Sequence, residues 1–101
     1  MKDPNCREKE SVFQKISLMR QELSDRFTVR RIGVFGSVIN GKATAESDLD
    51  ILVEFDEPTF DHYMDLKFML EDNLKCQVDL VMADTIKPRI KSIIEHEVVY
   101  A

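Results

Sequence analysis

Residues Gly36 to Val53, GSVINGKATAESDLDILV, decide how the chain reads. The run before them, Val29 to Phe35, crowds Val29, Ile32, Val34 and Phe35 into a short span that stops at a glycine, which predicts a buried strand. Gly36-Ser37 breaks that strand. A glycine there lets backbone approach a ligand closely. Ser37 then opens a short helix, as its N-cap or as part of an anion-binding turn. Ten residues after Ser37 the chain re-enters a strand, expected over Asp48 to Phe55. Side chains two apart on a strand point the same way, so Asp48 and Asp50 share a face. Two carboxylates on a mostly apolar strand raise each other's pKa, and a divalent cation is the usual remedy.

Oxygen-only donors suit Mg2+, which keeps some of its waters and is completed by substrate phosphates; Mn2+ is the alternative. A pair of such ions stabilises the attacking and leaving oxygens of an in-line displacement. A third carboxylate is needed to orient or deprotonate the nucleophile. Asp79 offers it, centred in the apolar run Gln77-Val78-Asp79-Leu80-Val81.

Gly36-Ser37, ten residues, Asp48-Leu49-Asp50 and a later strand Asp79 make a set that resembles the nucleotidyltransferases of the DNA-polymerase-β-like superfamily. The shortness of the chain and its ending from Ile86 to Tyr100 resemble the minimal nucleotidyltransferase branch. The resemblance runs from about Val29 to the C-terminus. It implies an α+β fold with a small mixed β-sheet, Asp48, Asp50 and Asp79 as catalytic metal ligands, and Gly36 and Ser37 as phosphate holders. Many minimal members carry an arginine just before the glycine that closes the turn, where this chain has Asn40-Gly41. The cation near the phosphates is then expected from Lys42, or from Arg30 and Arg31, whose simpler reading is solvation at a strand start.

At 101 residues the chain is expected to form one domain, with Met1 to Thr28 as lead-in and first helix and residues 29–101 as catalytic core. Its net charge of −5 disfavours the nucleic-acid backbone, which demands a basic face. Cys6 and Cys76 are distant and unpatterned, as in reduced cytoplasmic proteins. No apolar run reaches membrane-spanning length and the first ten residues are charged, so a cytoplasmic location is expected.

In chain order, Met1 to Lys9 reads as a polar lead-in containing Pro4. Ser11 to Leu23 reads as an amphipathic helix with Val12, Phe13, Ile16, Met19 and Leu23 on one face. Thr59 is the expected N-cap of a helix reaching about Leu74, with Phe60, Tyr63, Leu66, Leu70 and Leu74 as its buried stripe. Phe68 and Met69 fall off that stripe and, with Leu18, outline a surface for a partner or a second copy of the chain. A third strand is expected over Cys76 to Met82. Asp84 or Thr85 is expected to cap a last helix with Pro88 in its first turn and Ile86, Ile90, Ile93 and Ile94 on its apolar face. Glu97 to Ala101 reads as an extended tail. Glu54 is expected at an exposed strand end, and His62 and His96 lack partners at ligand spacing. Helices over one face of a mixed sheet satisfy this order.

The length of the chain predicts no acceptor pocket of its own, so the acceptor is expected from another molecule. The resemblance implies ATP as donor and an all-helical HEPN protein as partner, in a toxin–antitoxin module where the transferase adenylylates a tyrosine of the toxin. Two other readings stand beside it. One is a nucleotide-binding module that neutralises a helical protein by contact alone, and the other a subunit of a small-molecule nucleotidyltransferase. RNA polymerisation fits the acidic charge least.

Overall fold

The computed structural model describes residues 9–41 and 48–101. Helix α1 spans Lys9–Phe27, strand β1 Val29–Phe35, the short helix α2 Ser37–Asn40 and strand β2 Leu49–Phe55. They are followed by α3 over Phe60–Leu74, β3 over Val78–Met82, α4 over Pro88–Glu97 and β4 over Val99–Tyr100. The strands form one mixed sheet in the order β3-β2-β1-β4. β1 is antiparallel to β2 and to β4, whereas β2 and β3 are parallel and joined through α3.

Strand parity sorts the two faces of this sheet. On β2, Leu49, Ile51, Val53 and Phe55 are buried on one side, while Asp50 and Glu54 on the opposite parity are only half-buried. The apolar side is covered by α1 and α3. The first contributes Val12, Ile16, Met19, Leu23 and Phe27, and the second Leu66, Leu70 and Leu74. Both helices therefore lie over one face, as expected for an α+β fold, and the acids lie on the other. Two hydrogen bonds tie α3 to β3: the Tyr63 hydroxyl donates to the Leu80 carbonyl (2.7 Å), and the Val78 N–H donates to Glu71 (3.0 Å).

Several element-level expectations are corrected. α1 is longer than Ser11 to Leu23, extending at both ends. Thr59 does cap α3, its hydroxyl accepting from the His62 N–H (3.1 Å), but Phe60 is 76% exposed rather than part of the buried stripe. At the first turn a helical side chain leans back beyond the helix end, past the core it would otherwise meet. Phe68 is exposed as expected, whereas Met69 packs against the core, so the two do not form one apolar surface. Neither Asp84 nor Thr85 caps α4. Residues Ala83–Thr85 form a 3-10 turn in which the Thr85 hydroxyl donates to the Met82 carbonyl (2.9 Å), and α4 starts at Pro88 without a side-chain cap. None of the residues of α4 is buried, and Ile90 and Ile93 are exposed.

The tail is not merely extended. β4 adds to the free edge of β1, with Tyr100 opposite Gly33 and Val99 opposite Val34, and the Ala101 N–H donates to the Ile32 carbonyl (2.9 Å). Gly33 makes this possible. A Cβ at that position would come within 2.7 Å of the Val98 side chain and 3.0 Å of the Val99 carbonyl oxygen. Among the described residues no helix is long and apolar enough to cross a membrane.

Candidate active site

Gly36 has φ +78° and ψ −144°, a conformation that side chains rarely tolerate. Its carbonyl accepts from the Ile39 and Asn40 N–H groups (both 3.1 Å), which starts α2 within one residue of the strand end. Gly41, at φ +76°, closes the turn by donating its N–H to the Ser37 carbonyl. Gly36 itself is the cap, and Ser37, half-buried, is the first residue of α2. The N-cap reading of Ser37 is thereby corrected.

Asp50 meets this turn from the neighbouring strand. It lies opposite Phe35 in the β1–β2 ladder, and a Cβ on Gly36 would sit 2.2 Å from Asp50 Oδ2. The carboxylate therefore rests against the bare Cα of Gly36. Asp79 is the register partner of Asp50 across the parallel β2–β3 pair, and paired residues project to the same face. Asp48, exposed, stands two residues before Asp50 at the entry to β2.

This crowding pushes the Asp50 carboxyl up to about 6. Partial burial is the main cause, followed by the charges of Asp79, Asp48 and Glu97 and a hydrogen bond with Asp79. Each of these influences raises it. A hard divalent cation fits such a set of oxygens. Among the described residues no three His, Cys, Asp or Glu side chains converge tightly enough to enclose an ion unaided. That is compatible with Mg2+, which keeps waters and takes substrate oxygens as ligands.

Most of the residues that the sequence nominates meet at this turn. Gly36, Asp50 and Asp79 come together with Asp48 close by, and Ser37 adjoins them in α2. Lys42 lies outside the described residues. Arg30 and Arg31 do not serve the turn. Arg30 pairs with Asp56 (2.8 Å) and Arg31 with Glu54, at the far end of β1. Strand rise puts Arg31 about 17 Å from Gly36. Glu54, expected at a solvated end, is the shielded half of its pair. The concavity of about 500 Å3 bordered by Ser17, Arg20, Arg30 and Arg31 holds none of the acids.

One residue at the site is not singled out by sequence. Glu97, the last residue of α4, acts on Asp50 and accepts a hydrogen bond from Asn40 Nδ2 (3.3 Å). A signal exists for it. Glu97 continues the spacing Ile86, Ile90, Ile93 and Ile94, an acid at the end of an apolar stripe.

The nucleotidyltransferase domain model matches residues 16–101. The chain belongs to the nucleotidyltransferase family. A relative from Thermococcus cleftensis, the protein adenylyltransferase MntA, is 42% identical over 92 residues, spanning 90% of this chain and 93% of that protein. A solved structure described as a candidate minimal nucleotidyltransferase superposes with a TM-score of 0.79 at 33% identity, covering 91% of this chain and 94% of that one. A toxin–antitoxin complex with AMP-PNP shares the fold, with a TM-score of 0.70 at 22% identity over 88% of this chain and 70% of that one. The expected α+β architecture and the minimal nucleotidyltransferase resemblance are both borne out. In this nucleotidyltransferase the acid-bearing face of the sheet is the one left uncovered by α1 and α3.

Proposed function

We propose that this nucleotidyltransferase transfers AMP from ATP to a hydroxyl of a protein partner, a tyrosine of a helical HEPN toxin, and so acts as the antitoxin of the pair. One observation carries the chemistry: the Asp50–Asp79 pair, set side by side on parallel strands against the bare Cα of Gly36, with Asp48 beside it. The protein acceptor is supported by the relative named as a protein adenylyltransferase and by the toxin–antitoxin complex that shares the fold.

Asp48, Asp50 and Asp79 would hold Mg2+ or Mn2+, which when bound neutralises charge on the transferring phosphoryl group. The chain's residues do the rest. Gly36, Ser37 and Lys42 are assigned to hold the phosphates. Asp79, exposed at the mouth of the pair, takes the proton of the attacking tyrosine hydroxyl. The tyrosine oxygen bonds to the α-phosphorus, the bond to the β-phosphate oxygen breaks, and pyrophosphate leaves.

Intact-mass spectrometry of the partner after incubation with the chain, ATP and Mg2+ tests this. The expected result is the addition of one or more AMP units, absent with Asp79→Asn. A partner that is silenced while its mass never changes would establish contact neutralisation instead.

A further inference from the structure

The α2 turn is held at both ends, and only one end belongs to the acid cluster. At its start, Gly36 is pressed by Asp50. At its finish, Asn40 donates its side-chain amide to Glu97, fifty-seven positions away in sequence. Glu97 is itself anchored by the three residues after it. The Val98 N–H closes α4 on the Ile94 carbonyl (2.8 Å), and Val99 and Tyr100 pair with Val34 and Gly33 of β1. The Arg31 guanidinium lies 4.1 Å from the centroid of the Tyr100 ring, covering the strand from outside. Glu97 is therefore placed at the junction where α4 closes and β4 joins the sheet edge.

A carboxylate beside a phosphate-binding turn has no use as an anion receptor. Its negative charge opposes a triphosphate. What it does supply is an acceptor that fixes a donor, the Asn40 side-chain amide. We infer that Glu97 is a positioning residue, clamping Asn40 so that the C-terminal edge of sheet and helix sets the geometry of the nucleotide-facing α2 turn. This rests on the assignment of that turn to the triphosphate.

The clamp needs an acceptor oxygen and not a charge, and that separates it from a role as a fourth metal carboxylate. In Glu97→Gln the side-chain oxygen still accepts from Asn40, whereas in Glu97→Ala it is gone. Affinity for the Mg2+ complex of AMP-PNP, measured by calorimetry, is expected to fall roughly five-fold in Glu97→Ala and in Asn40→Ala, the loss of about one hydrogen bond. Glu97→Gln should stay within about two-fold of the wild type, and the double alanine variant should be no weaker than either single one. Glu97→Gln as weak as Glu97→Ala, or additive losses, would overturn the clamp. A second readout needs no nucleotide: the Asn40 side-chain amide and the Gly36 to Gly41 backbone resonances in 1H–15N spectra. They should shift in Glu97→Ala and hold in Glu97→Gln. If they do not move in Glu97→Ala, the clamp is absent from solution. If they behave as expected and AMP-PNP does not bind the wild type, the clamp stands and the nucleotide assignment fails.

Discussion

Gly36 and Asp50 constrain each other from adjacent strands: one has no side chain, and the other fills the space where it would be. The cost of that arrangement appears in the titration of Asp50. Its carboxyl is raised from 3.8 to about 6, so between those values the folded chain binds more protons than the unfolded one. Stability conferred through this group is present below its unfolded value and falls as pH rises through about 6. In chelator, Asp50→Asn should therefore be more stable than the wild type at neutral pH, with the gap closing toward pH 4. Thermal unfolding of both chains across that range is the check, and a variant less stable at neutral pH would make Asp50 a structural carboxylate. The acids were legible from sequence because a two-residue period and a glycine-terminated strand need no tertiary information. Their cross-strand pairing, and the rise at Asp50 in particular, required the register of β2 against β3, which no local pattern contains. Arg30 and Arg31 keep the simpler reading of solvation at a strand start: both are exposed there, paired with Asp56 and Glu54.

At the level of elements, β1, β2 and α3 were readable because each has enough residues for its period to show, and their expected and observed bounds nearly coincide. β4 has two residues, too few for alternation, and its pairing depends on Gly33, whose lack of a side chain is the visible trace of a close approach. Gly33→Val should dislodge the segment, since a Cβ already meets Val98 at 2.7 Å. A cost of about 1–3 kcal/mol is expected from overpacking. Hydrogen exchange at the Ala101 amide, bonded to Ile32 in the wild type, should accelerate most. Unchanged protection there would mean that β4 contributes nothing to the sheet edge. The apolar spacing in α4 was legible as a face, but periodicity states only which side chains align. It does not state that anything covers them, and Ile90 and Ile93 stay exposed.

Across the whole molecule, the division of labour comes from one sheet with two unlike faces. One face carries the apolar residues that α1 and α3 bury; the other carries the acids. The strands that bring Asp50 and Asp79 together are parallel neighbours, and α3 lies between them in the chain. That connection has a consequence in time. A parallel pair closes only after its crossover has formed, and contacts of long sequence separation are made slowly. The antiparallel β1–β2 pair and the helices can assemble first, leaving Asp50 without Asp79. Ion affinity is thus a property of the finished chain alone. During refolding from denaturant, ellipticity should recover ahead of Mn2+ binding, and any nascent or truncated chain that stops before β3 would circulate as a protein with secondary structure and no chemistry.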